Sequence, residues 1–369
     1  MSAPSAHLAP RRQRYALQAA AFATIAALFG AGGFAYSHTA ETATVADSGS
    51  SQAVFDRNPT QSQAEGSTPA TDATAKQESG LVYINTTLGY GAGAGAGTGM
   101  ILTSDGEILT NNHVVEGATS ISVQVISTGT RYDATVVGTD ATNDVAVLQL
   151  DNASGLDTVT TDTGSTVAVG DKVTGVGNAG GDGGAASAAA GTVLAVDQSI
   201  TVQSESGGAP ENLTGLIEVD ADILAGDSGG PLYDDQGEVI GMDTAASSGS
   251  TDVTGYAIPI AKALDIAGSI TDGTGSDTVT LGNPAFLGVQ LADDSTTIAG
   301  VVDGSPAAGA GLQAGDTVTN VGGTDVTTGT ELSAAITNYA AGDSVSVTWT
   351  DTTGQSFSAT VQLVEGPSA

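Results

Sequence analysis

From Leu81 onward the apolar residues come in short runs broken by Gly, Asp, Ser and Thr. Leu81-Val-Tyr-Ile84, Met100-Ile-Leu102 and Glu107-Ile-Leu109 predict short strands, with Ser104-Asp105-Gly106 as a hairpin turn between the last two. Ile121-Ser-Val-Gln-Val125 alternates with the period of a half-buried strand. Residues 136–137, 145–150, 167–169, 173–176, 192–196 and 216–219 continue the series. Residues 89–99 are nearly alternating Gly and Ala and read as a flexible loop; no Gly-Lys-Ser/Thr follows, so they are not a phosphate cradle. Many strands, short turns and almost no helix indicate a mainly β fold, an antiparallel barrel or sandwich.

Residues 260–270, following Pro259, give the first good helical pattern and close a folded region spanning 80–272. Residues 273–281, rich in Thr, Gly and Asp, read as a linker to a second region at 282–365. There residues 331–338 predict a helix with Leu332, Ala335 and Ile336 on one face, and residues 344–350 and 356–363 predict strands.

Ahead of Leu81 the texture differs. Residues 15–36 form a 22-residue run, apolar apart from Gln18 and Thr24, long enough to cross a bilayer as a helix. Arg11, Arg12 and Arg14 mark residues 1–14 as a basic cytoplasmic tail and orient the downstream chain outside. Residues 15–37 are therefore expected to be an uncleaved transmembrane signal anchor. The alternative is secretion after cleavage, for which Ala35-Tyr36-Ser37 is a poor site. Residues 38–79 have too few large apolar groups to offset chain entropy and read as a disordered linker, with a reach on the order of 35 Å.

The formal charge of −33 excludes nucleic acid and anionic lipid surfaces as partners and is read as a solubility or salt adaptation. Past residue 80 the basic residues are Arg131, Lys172 and Lys262. Without cysteine there is no disulfide frame or thiolate site, and one histidine in the folded part makes a zinc site improbable.

Candidate chemistry centres on Gly226-Asp-Ser-Gly-Gly-Pro-Leu232. Glycines around Ser228 permit a sharp turn and close approach of backbone to substrate, as a nucleophile with an oxyanion-binding backbone requires. The same residues fit a plain Gly/Ser turn, so the base decides. Of the three histidines, His7 and His38 flank the apolar segment, leaving His113. No histidine follows Ser228, which excludes the order of a lipase or esterase nucleophile elbow. A base upstream, an acid between and the serine last is the chymotrypsin order. The acid candidate is Asp144, at the head of an apolar strand where a carboxylate needs a donor. Asp133, Asp140 and Asp151 are rivals on spacing and read as solvated loop acids.

Thr110-Asn-Asn-His113-Val-Val115, Asn143-Asp-Val-Ala-Val-Leu148 and the Ser228 block resemble the three catalytic blocks of HtrA/Deg-type trypsin-fold serine proteases. Gly237-Glu-Val-Ile-Gly241 and Gly255-Tyr-Ala-Ile-Pro259 resemble the blocks that follow the serine there. Phe286-Leu-Gly-Val-Gln-Leu291, Gly304-Ser-Pro-Ala-Ala308 and Gly311-Leu-Gln-Ala-Gly-Asp316 resemble the signatures of a PDZ domain.

This resemblance implies two antiparallel six-stranded β-barrels followed by a PDZ domain. It implies a serine endopeptidase acting on misfolded or regulatory proteins outside the cytoplasmic membrane, without metal or cofactor. The triad would be His113, Asp144 and Ser228, with the Thr244 hydroxyl reaching Asp144 and the N–H groups of Gly226 and Ser228 forming the oxyanion hole. Asp222, six before the serine, coincides with the acid that gives trypsin its basic P1 preference, and Ala245 is its companion as an S1 candidate. Alternatively Ile223 or Leu224 fills that pocket. Asp227 stands where the family more often has Asn and needs a donor that the sequence does not reveal. Phe286, Leu287, Gly288 and Val289 would bind C-terminal peptides by strand addition. The resemblance also allows a homotrimer. The rival reading is a catalytically silent PDZ scaffold, a chaperone-like binder of unfolded or C-terminal segments.

Overall fold

The structure, a computed structural model, describes residues 70–89, 93–202, 211–246, 254–274, 276, 278–292 and 294–368. The expected tail, the anchor at 15–37 and the first part of the linker lie outside them. Among the described residues no helix is long and apolar enough to cross a membrane.

β1 (Thr71–Asp72) and α1 (Ala75–Glu78) come first. After them come β2 (Leu81–Leu88), β3 (Gly93–Ile101), β4 (Glu107–Thr110), α2 (Asn112–Val115), β5 (Ala118–Val125), β6 (Arg131–Asp140) and β7 (Val145–Leu150). The strands from β2 to β7 pair antiparallel in the order β6-β5-β2-β3-β4-β7, and β6 pairs back onto β7, so the sheet returns on itself. β8 (Lys172–Gly177), β9 (Ser187–Val202), β10 (Glu211–Val219), β11 (Pro231–Tyr233), β12 (Val239–Ala246) and β13 (Gly255–Pro259) make the second sheet. Their order is β9-β10-β13-β12-β11-β8, with β8 pairing back onto β9.

The unbroken apolar runs have a packing reason. Val82, Ile84, Ile101, Ile108 and Leu148 face the interior of the first sheet. Their neighbours Leu81, Tyr83, Met100, Leu109 and Val147 face a second core shared with Leu216, Met242 and Ile258 of the other sheet. Strands buried on both faces lose the polar alternation of a half-buried strand. α3 (Ile260–Thr271) covers this shared core with Ile260, Ala263, Ala267 and Ile270, one face at helical spacing.

Four expectations change. Residues 93–101, read as loop up to 99, are strand β3, paired with β2 along most of its length. Glycine is there for room: a Cβ at Gly97 would lie 2.6 Å from Val114 Cγ1, and one at Gly99 would lie 2.8 Å from Ile108 Cγ2. Residues 71–78, read as disordered, form β1 on β9 and α1, whose capping box joins Thr74 and Gln77. Lys76 Nζ and the Gln77 carbonyl fix that helix to Gln236 and Tyr233. Residues 167–169 form no strand, and Val169 is 66% exposed. β14 (Val279–Leu281), expected as linker, pairs with β6.

The remaining elements are β15 (Ala285–Phe286), β16 (Val289–Leu291), β17 (Ile298–Val301), α4 (Pro306–Ala310), β18 (Thr317–Val321), β19 (Thr324–Asp325), α5 (Gly329–Thr337), β20 (Ser344–Thr350), β21 (Ser356–Gln362) and β22 (Val364–Glu365). They enclose their own core of Leu287, Val318, Leu332, Ala335, Ile336, Val347 and Trp349.

Candidate active site

Asp144 sits in the turn between β6 and β7 with φ at 54°, a left-handed conformation that Asp tolerates better than most side chains. Asp140 braces this turn, accepting from the Asn143 backbone N–H, the Asn143 side-chain amide and the Thr278 hydroxyl. Asp140 is thus buried rather than solvated, and its oxygens are committed to the turn; Asp133 and Asp151 are at the surface, as expected of loop acids.

Asp144 is 2% exposed and collects the donors its burial demands. His113 offers its backbone N–H at 3.0 Å and Nδ1 at 2.9–3.0 Å to the carboxylate, and the Thr244 hydroxyl donates to Oδ2. A carboxylate can only accept, so Nδ1 carries the hydrogen and Nε2 keeps the lone pair. His113 rides on α2, anchored from below by Asn111, whose amide donates to the Asp144 carbonyl at 3.0 Å. The imidazole side chain is 25% exposed, open to an incoming molecule.

Ser228 lies in the loop between β10 and β11, and its hydroxyl donates to the Thr244 carbonyl at 3.2 Å. Thr244 therefore joins both halves of the site, through its hydroxyl to Asp144 and its carbonyl to Ser228. A Cβ at Gly97 would also lie 3.3 Å from the Ser228 carbonyl, so one glycine faces both the Ser228 loop and Val114, next to His113.

The loop is held by residues that sequence reasoning missed. Thr98 is fully buried, donates its hydroxyl to the Gly226 carbonyl at 2.7 Å and its N–H to the Ser228 carbonyl at 2.9 Å, and accepts from the Asn178 N–H at 3.0 Å. The Thr110 hydroxyl donates to the Thr98 carbonyl at 2.7 Å. The signal was Gly97-Thr-Gly99, a lone Thr in the stretch read as loop. Gly226 has φ at 98°, and a Cβ there would sit 2.1 Å from the Asn178 carbonyl oxygen. Among the described residues the N–H groups of Gly226 and Ser228 donate to no protein acceptor.

Asp227, whose donor was unknown, accepts from the Leu224 N–H at 2.9 Å and the Ser187 hydroxyl at 3.3 Å. Burial pushes its carboxyl up to about 6, against the pull of those two bonds and with help from the charge of Asp222. Asp243 is fully buried beneath the same loop with both oxygens unpartnered, and burial, then the Asp227 charge, raises its carboxyl well above the ordinary range. Its oxygen lies 2.9 Å from where a Cβ of Gly175 would be.

Of the S1 candidates, Asp222 is half-buried, while Ile223, 1% exposed, fills the core of the second sheet. Ala245 pairs in β12 with Tyr256, and its side chain lies outside the described residues. In the smaller fold Leu287 is core, with its carbonyl accepting from Ala307, and Gly288 has φ at 89°, where a Cβ would also lie 2.1 Å from Ser305 Cβ. Phe286 pairs in β15 and Val289 opens β16. Leu332, Ala335 and Ile336 of α5 are buried in that fold's own core. Asp162, Asp234 and Glu238 bring carboxylate oxygens within 4.8 Å of one another. Oxygens of Asp162 and Asp234 already accept backbone N–H groups of their own turns.

Residues 97–242 match the family of trypsin-like peptidase domains and residues 285–353 the family of PDZ domains. The chain is 34% identical over 290 residues to the serine protease Do-like HtrA of Lactococcus lactis subsp. cremoris, covering 72% of this chain and 69% of that protein. It is 31% identical over 311 residues to the serine protease PepD of Mycobacterium tuberculosis, covering 78% and 64%. A probable periplasmic serine endoprotease, DegP-like, of Rhizobium meliloti is 34% identical over 267 residues, covering 68% and 49%. Among solved structures, the HtrA-type protease AlgW with a tripeptide is 26% identical with a TM-score of 0.46, covering 80% of this chain and 97% of that one. The chain belongs to the HtrA serine proteases, with a trypsin-like peptidase domain followed by a PDZ domain.

Proposed function

We propose that Ser228 is the nucleophile of this protease, His113 its general base and Asp144 the group that orients the base. The observation that carries this reading is the convergence of the three residues on Thr244, whose hydroxyl donates to the Asp144 that holds His113 Nδ1 and whose backbone carbonyl accepts from the Ser228 hydroxyl. In the trypsin-type scheme, which these residues fit, Ser228 Oγ attacks a peptide carbonyl while His113 Nε2 takes its proton. The imidazolium then protonates the leaving amine, and a water repeats the sequence to free the acyl group. Asp144 stays ionised and stabilises the imidazolium through Nδ1–H. The unused N–H groups of Gly226 and Ser228 support their assignment as the oxyanion hole, and one such donor is worth roughly 3–4 kcal/mol in the transition state. The proton transfers require neither metal nor cofactor.

The substrates we propose are misfolded or regulatory proteins outside the cytoplasm, cut internally; the periplasmic endoproteases among its relatives support the location. The PDZ domain would take C-terminal peptides at Phe286, Leu287, Gly288 and Val289. In its support, β16 has β17 as its one strand neighbour among the described residues, leaving an edge for an added strand.

The test is labelling by a serine-directed phosphonate together with cleavage of denatured casein. Ser228→Ala should abolish labelling, and Ser228→Ala or His113→Ala should lower kcat on the order of 10⁴–10⁶-fold. Labelling that survives Ser228→Ala, or parental cleavage by His113→Ala, overturns the assignment.

A further inference from the structure

The segment that leaves the PDZ domain reaches back to the helix carrying His113. β22 pairs with β15, and the Gly366 N–H donates to the Pro284 carbonyl at 2.8 Å. Two residues later Ser368 is 4% exposed against the turn that joins α2 to β5. Its carbonyl accepts from the Gly117 N–H at 2.8 Å, and its N–H donates to the Ala118 carbonyl at 3.0 Å. Its hydroxyl accepts from the Ala118 N–H at 3.1 Å and donates to the Val115 carbonyl.

Val115 ends α2, and its carbonyl is one of those a helix leaves without an internal partner. A helix of four residues has little stability of its own and depends on what grips it. Asp144 grips the α2 side nearest the chemistry, through the His113 backbone N–H and ring. Ser368 grips the opposite end, where Gly117 turns the chain with φ at 73°.

We infer that Ser368 is a positioning residue for the reaction: by clamping the turn after α2 it fixes the helix, and with it the imidazole of His113. It touches neither substrate nor the reacting atoms and acts through His113, so the inference rests on His113 being the general base. The hydroxyl, rather than mere bulk, is the active part, because it alone reaches the Val115 carbonyl.

The test compares Ser368→Val, Ser368→Ala and Ser368→Thr in the full chain, with active sites counted by phosphonate titration so that misfolded molecules drop out. A displacement of about 1 Å can cost 10²-fold in rate; partial loosening of α2 should lower kcat per titrated site about tenfold in the Val and Ala variants, with KM unchanged. Weaker pairing with Asp144 should also move the acidic limb of the kcat/KM profile to lower pH. Ser368→Thr, which keeps the hydroxyl, should restore most of kcat. Parental kcat in Ser368→Val, or equal losses in the Val and Thr variants, overturns the inference. His113→Ala run in parallel separates the two levels. If it is inactive while Ser368→Val is normal, the clamp alone fails; if it is active, the assignment of the base fails.

Discussion

Asp227→Asn tests how a buried carboxyl next to Ser228 shapes the stability of the protease. The parental side chain is 3% exposed, and its carboxyl rises from 3.8 to about 6, chiefly through burial. Below pH 3.8 both folded and unfolded chains are protonated and folding is undisturbed. As pH rises toward 6 the unfolded chain sheds the proton while the folded one holds it, so folding loses stability through that window. Above it the full penalty is in place, about 3 kcal/mol for a rise of this size. Asparagine keeps an acceptor for the Leu224 N–H and offers Ser187 an amide donor in exchange for the oxygen it loses. In a Ser228→Ala background, which prevents self-digestion, urea unfolding is followed by far-UV circular dichroism from pH 4 to 8. The variant should match its parent near pH 4 and exceed it by about 3 kcal/mol at pH 8. A difference that stays flat across this range, or a parent more stable at pH 8, refutes the reasoning.

Thr244→Val removes one donor from the buried Asp144 while leaving the backbone carbonyl that receives Ser228. Its cost should be about 1–3 kcal/mol, read as a 5- to 150-fold loss in kcat/KM, with Thr244→Ser recovering most of it. At P1, Ile223 lies in the core and Asp222 is only half-buried, so a peptide with Val should be cut at least about tenfold faster than its Lys counterpart. Lys preferred by a similar margin would put Asp222 at the floor of the pocket.

How much the chain disclosed in advance depends on how locally each feature is encoded. His113, Asp144 and Ser228 were legible as candidates because each sits in a contiguous block and because so few histidines compete. The α3 and α5 helices were legible from their spacing, to within a residue or two of 260–271 and 329–337. Thr98 was not, because its role arises only when β3 meets the Ser228 loop, far along the chain. The Gly/Ala stretch misled for a related reason. Its glycines mean close approach by Val114 and Ile108, and a glycine chosen for room looks the same as one chosen for freedom. Asp140 read as an ordinary acid in a chain full of them, and Asp227 as one whose donor was hidden, since their donors include Thr278 and Ser187 on other segments. Strand β14 escaped notice because its three residues, Val279–Leu281, are a poor strand until β6 offers an edge.

That strand and Ser368 together fasten the PDZ domain at two separate points of the sheet that carries α2. A body with a hinge and a hasp behaves unlike one on a single string. If either fastening opens, the other keeps the loose end nearby at high effective concentration, so it closes again without a search. Prising the domain away demands that both let go at once, and a pull applied at β22 is felt at the hasp beside the helix of His113 before it is dissipated in slack.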